Sequence, residues 1–334
     1  MRIDRVPEQN SERFARSLVS LEGLSVGDAF GETFFASWQM LSRLAKTGAL
    51  TGPPYDFSED TIVCMIDRRE LPAPPPWRYT DDTQMALSVV EVLRQYGEID
   101  QDQLALSFAR HYDKTRGYGA AMHGLLPRLG AGEPWCRAAS SLFGGKGSYG
   151  NGAAMRVAPV GAYFADDLDA VVENARRAAE VTHMHPEAVA GAIAVAVAAA
   201  WAWRVRDSDP LPNGPDFIDL VLPSVPPSEV RRGIRQVRDF SDDMTVDEVV
   251  TIAGNGEDVT AQDTVPFVLW CAGQHLDYFE EALWLTVSGL GDRDTTCAMV
   301  GGIVAMRTGL EDIPAEWVQS REALPAWILS GEGE

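Results

Sequence analysis

The sequence is poor in cysteine, histidine and positive charge, and each shortage argues against a class of protein. The 334 residues include four cysteines and no CxxC pair, which favours reduced thiols in a cytoplasmic protein over a disulfide framework. Lys and Arg number 28 against 49 Asp and Glu, a formal net charge of −21, so we expect neither a nucleic-acid partner nor an anionic membrane surface. With only five histidines, a zinc site is not expected either.

Long hydrophobic runs are scarce as well. Residues 1–14 are polar and charged, so no signal peptide is evident. The most apolar stretch runs from Ala188 to Trp203, which is shorter than the ~20 residues that a membrane-spanning helix needs. We therefore expect a buried central helix there. Apolar residues still make up 46% of the chain, enough for a sizeable core.

Helical spacing recurs along the chain, and no convincing run of alternating strand residues appears. Residues 51–79, 113–152 and 207–227 are rich in proline or glycine and are predicted to be connections. No internal repeat or linker divides the sequence. We therefore expect an all-α fold in a single domain spanning residues 1–334. The predicted helices are 17–40, 82–96, 104–112, 153–164, 169–183, 188–206, 228–238, 245–253, 263–272, 277–288 and 295–307.

The first predicted helix carries a stripe of glycines. Gly23, Gly27 and Gly31 recur every fourth residue and so lie on one face, which would let another backbone approach closely. Asp28 and Glu32 lie one helical turn apart beside this stripe, among apolar neighbours. We expect these two carboxylates to be functional, or buried and paired, rather than solvated.

Two short acidic segments, roughly two hundred residues apart, are the most informative feature. The segments Thr80–Thr83 (TDDT) and Gly291–Thr295 (GDRDT) both lie where an irregular stretch gives way to a helical pattern. Either one alone fits ordinary capping of a helix N-terminus. Together they supply more negative charge than capping needs, and their oxygen ligands suit Mg²⁺, Mn²⁺ or Ca²⁺. If the fold joins them, they form a two-metal site.

A glycine-rich run lies between these segments. In GSYGNG, residues 147–152, closely spaced glycines would let backbone N–H groups converge on a phosphate, and Tyr149 could stack on a base or ribose. A plain flexible loop is the alternative. Thr182 and His183 follow at a junction between two predicted helices, where a hydrogen-bonding or stacking histidine and a structural histidine are both open.

Taken in order, these motifs resemble the ADP-ribosylglycohydrolase family, which includes dinitrogenase-reductase-activating glycohydrolase. The matching residues are GDAFG at 27–31, TDDT at 80–83, GSYGNGAAMR at 147–156, Thr182-His183 and GDRDT at 291–295. The resemblance implies a single compact multi-helix domain around a central dinuclear site with two Mg²⁺ ions, or Mn²⁺. It implies the metal ligands Thr80, Asp81, Asp82, Asp292, Asp294 and Thr295, and the substrate-binding residues Gly147, Ser148, Tyr149, Gly150, Asn151 and His183.

The sequence departs from the family pattern at two positions. The family often has a glutamate seven residues after the aspartate of its GDA motif, where this chain has Phe35. Glu32 is the nearest carboxylate, and the sequence leaves open whether it replaces that glutamate or points elsewhere. Arg293 stands where the family usually has threonine, between two expected ligands.

The resulting expectation is a Mg²⁺-dependent hydrolase that cleaves the glycosidic bond between ADP-ribose and an acceptor on a protein or small molecule. Glu32 and Asp294 are the expected catalytic carboxylates. The alternatives are a non-catalytic protein that binds ADP-ribose or is structural, and a two-metal hydrolase acting on another nucleotide-like substrate. The acceptor and the oligomeric state remain open.

Overall fold

The computed structural model describes residues 8–35, 59–241 and 243–330, and these residues form helices joined by loops, without β-strands. The only pairing of β type within them is two isolated bridges, Trp77 with Arg321 and Gly150 with Thr260. Four short 3₁₀ helices occupy Thr33–Phe35, Asn151–Ala153, Leu222–Ser224 and Leu310–Asp312. The α-helices are α1 (Glu8–Glu32), α2 (Glu59–Asp67), α3 (Asp81–Tyr96), α4 (Gln101–Arg110), α5 (Ala120–Gly130), α6 (Trp135–Ser140), α7 (Leu142–Gly145), α8 (Ala158–Tyr163), α9 (Leu168–Glu180), α10 (Pro186–Arg204), α11 (Gly214–Val221), α12 (Glu229–Arg238), α13 (Val246–Ala253), α14 (Ala261–Gln274), α15 (Phe279–Ser288), α16 (Arg293–Thr308), α17 (Ala315–Ser320) and α18 (Trp327–Ser330).

The most apolar helix, α10, lies in the core as the sequence predicts. Most of its residues are alanine or valine and are buried, and it packs against α8, α9, α11, α14 and α16. By length and composition alone this helix could cross a membrane, but most of it is buried inside the protein. Small side chains on all sides explain how so many helices approach it at once.

The glycine stripe of α1 lies directly on α16, and we call this contact the glycine seam. A Cβ added to Gly23, Gly27 or Gly31 would lie 2.4, 2.1 or 2.3 Å from a backbone oxygen of α16. Those oxygens belong to Gly301, Cys297 and Arg293, in that order. Residue numbers rise along α1 as they fall along α16, so the two helices are antiparallel. The end of α1 therefore lies at the start of α16.

A second contact ties α1 to the start of α3. Asp28 accepts hydrogen bonds at 3.0 Å from the backbone N–H groups of Thr80 and Thr83, which are otherwise unpaired at a helix start. The N-termini of α3 and α16 thus converge on the last turns of α1. Both acidic segments begin there.

The all-α prediction is confirmed, and so is the close approach of a second backbone to the glycine stripe. Three predicted connections were wrong in part, because each contains helix. Residues 51–79 contain α2, residues 113–152 contain α5 to α7, and residues 207–227 contain α11. Tertiary packing overrides local composition here: α5 is continuous through Pro127, with Leu125, Leu126 and Leu129 buried. The first predicted helix starts earlier, at Glu8, and its α-helical part ends at Glu32; residues 36–40 lie outside the described residues.

The glycine seam predicts the effect of a single methyl group. Gly27→Ala should destabilise the protein by roughly 1–3 kcal/mol or more, because the helices must separate around the Cys297 carbonyl. Gly124→Ala is the matched control, since Gly124 lies in α5 with nothing within 4 Å of an added Cβ. Gly124→Ala should stabilise the protein by about 0.5–1 kcal/mol, because alanine has a higher helix propensity than glycine. Urea unfolding measures both, and equal effects of the two changes would contradict the close contact.

Candidate active site

The fold brings the two acidic segments together, as predicted. Oxygen atoms of Asp28, Asp82 and Asp294 all lie within 4.8 Å of one another, and we call these residues the acidic cluster. The Thr295 hydroxyl lies 3.4 Å from Asp82 Oδ2, across the gap between α16 and α3. Three helices thus each contribute one carboxylate. Of these, Asp28 is absent from the predicted ligand set.

Asp28 differs from its two neighbours because its oxygens are already engaged. Thr83 donates its hydroxyl to Asp28 Oδ2 at 2.5 Å, in addition to the backbone bonds at the start of α3. The Thr80 hydroxyl lies 3.0 Å from Asp28 Oδ1 and 2.9 Å from Asp82 Oδ2, and its single proton serves one of them. Asp28 therefore fixes the start of α3, the helix that carries Asp82.

Asp292 is held from the other side by the glycine-rich run. Asn151 Nδ2 lies 2.7 Å from Asp292 Oδ2 and 3.1 Å from the Thr264 hydroxyl. The Asp292 backbone N–H donates to the Asn255 carbonyl at 3.2 Å. Val259, on the same loop as Asn255, has φ 53°, a strained value for a β-branched residue, and its carbonyl accepts from the Asn151 N–H. Asn151 thus joins this loop to the acidic segment.

The carboxylates raise one another's pKa values because they share a buried site. Burial, then the charge of Asp28, raises the pKa of Asp81 to about 7. Burial also raises the pKa of Asp28 to about 6, against its hydrogen bonds to Thr80 and Thr83. The pKa values of Asp82 and Asp294 lie well above their usual range for the same reason, and that of Asp292 is also raised. Such a site needs protons or cations to be neutralised.

The residues fit divalent metal ions. Asp82 Oδ1 and Asp294 Oδ1 are buried and have no hydrogen-bond partner among the described residues, although a buried acceptor without a partner is costly. Both belong to the acidic cluster, and every candidate ligand atom is a hard oxygen. The positive ends of α3 and α16 offset part of the charge. A cation bound here would satisfy both unpartnered oxygens.

A cavity of about 470 Å³ opens beside the acidic cluster. The predicted ligands Asp81, Asp292, Asp294 and Thr295 line it, and so do Ser148, Tyr149, Gly150, Asn151 and His183 from the predicted binding residues. Thr80 and Asp82 lie behind this wall, buried at the start of α3. Gly147 lies next to the cavity-lining Ser148, with φ 74°, and a Cβ added to it would lie 3.0 Å from the backbone nitrogen of His185. Residues of the acidic segments, of the glycine-rich run and His183 therefore line the same cavity.

The glycine-rich run is a folded loop with internal hydrogen bonds. Gly147 N–H donates to the Leu142 carbonyl, Gly150 N–H to the Ser148 hydroxyl and Asn151 N–H to the Val259 carbonyl. These three N–H groups are therefore not directed at a ligand, and fewer remain for an anion than the glycine spacing predicts. Phe143 and Tyr149 are partly exposed at the cavity, with ring centroids 6.2 Å apart.

Glu32 lies one turn beyond Asp28, half-buried, at the edge of the acidic cluster. Burial and then the charge of Asp28 raise its pKa to about 7, and Arg78 opposes this shift. Its charge in turn contributes to the raised pKa of Asp294. Glu32 is not among the residues that line the cavity.

The two departures from the family pattern contact each other. The Arg293 guanidinium lies 4.3 Å from the centroid of the Phe35 ring, a cation–π geometry. Arg293 Nη1 also donates to the Phe34 carbonyl at 3.1 Å. Arg293 therefore faces the end of α1, and its charge lowers the pKa of Asp292 against the effect of burial. The glycine seam makes this pairing possible by placing residues 34 and 35 beside residue 293.

Sequence reasoning missed several residues that shape the site. Asp28 was flagged by its apolar surroundings but not as a possible ligand. Thr264 and the loop residues Asp258, Val259 and Thr260 carry no recognisable motif, and only the fold brings them to the cavity. Gly117, Gly119 and Met122 line it from the start of α5 and the turn before it, which the composition predicted to be a plain loop.

Comparison with known proteins agrees with this geometry. Residues 9–331 match the ADP-ribosylglycohydrolase family, and the chain belongs to that family. The ADP-ribosylhydrolase ARH3 of Homo sapiens is 31% identical over 276 residues, which cover 73% of this chain and 74% of that protein. ARH3 of Bos taurus is 31% identical over 340 residues, covering 92% and 90%. A solved structure described as an ADP-ribosylglycohydrolase-related protein complex superposes with a TM-score of 0.55 at 26% identity, covering 93% of each chain.

The predicted family and the predicted enzyme class are thereby confirmed: the chain is an ADP-ribosyl glycohydrolase. The fold class agrees with the family as well.

The unpartnered oxygens predict how metal and mutation affect stability. Mg²⁺ should raise the melting temperature of the wild type, since a ligand bound only by the folded state stabilises it by about 2.7 kcal/mol at a hundredfold excess over Kd. Asp82→Asn should remove this Mg²⁺ shift and raise the melting temperature in EDTA, because one mutually repelling carboxylate is lost. The control is Glu12→Gln, an exposed acid on α1. A full Mg²⁺ shift in Asp82→Asn would refute the cation site.

The raised pKa values predict a pH dependence with a definite sign. A carboxyl whose pKa is raised by folding contributes stability below its unfolded pKa, near 4, and that contribution is lost as pH rises through the folded value. For Asp28 and Asp81 the folded values are about 6 and about 7. In EDTA, the stability gained by Asp82→Asn over wild type should therefore be larger at about pH 8 than at about pH 5. Thermal scans at both pH values measure this difference in stability between Asp82→Asn and the wild type. A difference that grows toward acid pH would contradict the raised pKa values.

Proposed function

We propose that this protein is a Mg²⁺-dependent hydrolase that cleaves the glycosidic bond between C1″ of ADP-ribose and an acceptor on a protein or small molecule. One observation carries the proposal. In a chain of the ADP-ribosylglycohydrolase family, Asp82 Oδ1 and Asp294 Oδ1 are buried without hydrogen-bond partners among the described residues and lie beside a cavity of about 470 Å³. That volume falls within the usual range for small-molecule sites.

Two Mg²⁺ ions, or Mn²⁺, would be held by the residues of the acidic segments together with Asp28. The proposed ligands are Thr80, Asp81, Asp82, Asp292, Asp294, Thr295 and Asp28. When bound, the ions would supply charge neutralisation and a template for the 2″ and 3″ hydroxyls of the ribose. Asn151 keeps Asp292 directed at the site, and Asp28 holds the start of α3, the helix that carries Asp82.

The charge of the cavity supports a strict dependence of nucleotide binding on metal. No lysine or arginine is among the described residues that line the cavity, whereas Asp81, Asp258, Asp292 and Asp294 are. A diphosphate entering this volume meets like charge unless cations are present. Neutral donors and the rings of Phe143 and Tyr149 remain for the rest of the ligand.

The hydrolytic step needs a carboxylate that accepts the proton of the attacking water. Cleavage at C1″ passes through an oxocarbenium-like state, which nearby carboxylates stabilise. We assign the metal-site role to Asp294, which lines the cavity, and the proton-accepting role to Glu32, whose pKa of about 7 suits a general base near neutral pH. Glu32 lies outside the cavity lining, so its assignment depends on the kinetic test below.

Binding is tested first. Calorimetric titration with ADP-ribose should give binding in Mg²⁺ and none in excess EDTA. Product analysis then follows on peptides carrying ADP-ribosyl-serine or ADP-ribosyl-arginine and on small ADP-ribosides. Release of free ADP-ribose would support glycosidic cleavage. Release of AMP or inorganic phosphate would instead show that the protein cleaves a phosphoester bond. Metal-dependent binding without turnover of any of these would instead favour a protein that binds ADP-ribose without cleaving it, a possibility motivated by Phe35.

Two substitutions separate the roles of the carboxylates. Glu32→Gln should lower kcat by roughly 10²–10⁴ while leaving Mg²⁺-dependent binding of ADP-ribose in place. Asp294→Asn should abolish turnover and also weaken Mg²⁺ binding, because it removes an unpartnered oxygen of the acidic cluster. Glu257→Gln, an exposed acid next to the cavity-lining Asp258, is the control. An unchanged kcat in Glu32→Gln would exclude Glu32 as the base.

A further inference from the structure

A fully buried arginine lies behind the glycine-rich run. Arg156 is 0% exposed, the largest side chain buried to that degree among the described residues. Its Nη2 donates to the Ala178 carbonyl at 2.9 Å and to the Thr182 hydroxyl at 2.7 Å, and its guanidinium carbon lies 4.5 Å from the centroid of the Phe108 ring. Burial lowers the pKa of Arg156 to about 9, so it still carries its charge at neutral pH.

This arginine begins a chain of hydrogen bonds that ends at the cavity. The Thr182 oxygen that accepts from Arg156 also lies 2.6 Å from His183 Nδ1. Both residues follow α9 in a turn, where their backbone N–H groups donate to the Ala179 carbonyl. His183 in turn lines the cavity. Three side chains therefore connect a buried positive charge to the ligand volume.

The chemistry of these groups determines where each proton lies. A guanidinium has donors only, so Arg156 must donate to Thr182. The Thr182 hydroxyl proton then goes to His183 Nδ1, which must be the unprotonated ring nitrogen. In the opposite tautomer, Nδ1–H and the guanidinium would both donate to Thr182, and the buried hydroxyl proton would have no acceptor among the described residues. The network therefore selects the neutral tautomer protonated on Nε2.

The remaining nitrogen of the ring faces the glycine-rich run. His183 Nε2 lies 3.3 Å and 3.2 Å from where a Cβ on Gly150 or Gly152 would be. Glycine at these two positions leaves room for the imidazole beside the loop. Burial and the charge of Arg156 lower the pKa of His183 to about 3, so the ring is a neutral donor throughout the neutral range.

We propose that Arg156 and Thr182 are positioning residues that hold His183 in its Nε2–H tautomer, so that this N–H donates to an oxygen of the phosphorylated ligand in the cavity. The part concerning the ligand rests on the proposed function, whereas the tautomer does not. A neutral donor of fixed direction suits this site because three N–H groups of the glycine-rich run are already engaged, and because no described residue that lines the cavity has a cationic side chain. The same arrangement gives Arg156, which is buried and does not line the cavity, a role in the site.

The tautomer is tested in the free protein by long-range ¹H–¹⁵N NMR of the imidazole rings, with His183→Asn identifying the His183 signals. The wild type should show Nε2 protonated and Nδ1 unprotonated, and Thr182→Ser should keep this pattern because the hydroxyl remains. Thr182→Val removes the donor to Nδ1 with little change in shape and should give a mixture of tautomers. A proton on Nδ1 in the wild type or in Thr182→Ser would overturn the proposal, whether or not Thr182→Val folds.

Binding of ADP-ribose in Mg²⁺ tests the consequence for the ligand. Thr182→Val should raise Kd by about threefold to tenfold, the loss expected for one hydrogen bond, and Thr182→Ser should restore it. Unchanged affinity in a folded Thr182→Val with mixed tautomers would overturn the role of the Nε2–H donor. If the wild type itself does not bind ADP-ribose, the proposed function fails, and the NMR spectrum still decides the tautomer.

Discussion

The site depends on the contact between α1 and α16. Three glycines on α1 let its backbone touch the carbonyls of α16, and a single methyl group at Gly27 would lie 2.1 Å from the Cys297 oxygen. Because the helices are antiparallel, this contact places Asp28 beside Asp294 and brings the start of α16 to the start of α3. The relative position of these two helices determines where the start of α16 lies. That position sets the acidic cluster, the Asn151–Asp292 bond and the Phe35–Arg293 stack.

The acidic cluster, which the glycine seam brings together, is electrostatically unfavourable without cations. Asp82 and Asp294 are buried with raised pKa values, and each has an oxygen without a hydrogen-bond partner in the part of the chain that the structure describes. The folded scaffold offsets this cost through its large alanine-rich core around α10 and through the helix N-termini that point at the cluster. Metal binding would relieve this repulsion. Functional sites often lower the stability of the folded protein in this way.

Much of this arrangement was predictable from local patterns. Glycines at four-residue spacing indicate a close helix contact, and paired acidic segments at helix starts indicate hard-metal ligands. The part that could not be predicted depends on contacts between distant residues. Asp28 looks the same in the sequence whatever its role, and only the fold shows that it both caps the start of α3 through Thr80 and Thr83 and lies within the acidic cluster. Likewise, Phe35 and Arg293 appear as two separate departures until the fold stacks one on the other. Helix α5 was missed because its glycines and Pro127 look like a loop unless the burial of its leucines is known.

The position of α1 and α16 in the chain has a consequence for folding. The seam joins opposite ends of the protein: Arg293 and Phe34, which share a hydrogen bond, lie 259 positions apart. Contacts of such long sequence separation form late, after the intervening chain has closed the loop. During synthesis, α1 therefore emerges with its glycine face and Asp28 uncovered, and the acidic cluster is completed only after the C-terminal helices have left the ribosome. A chain that ends before α16 would have neither the seam nor a complete site, so metal binding reports that the chain has been made and folded through α16.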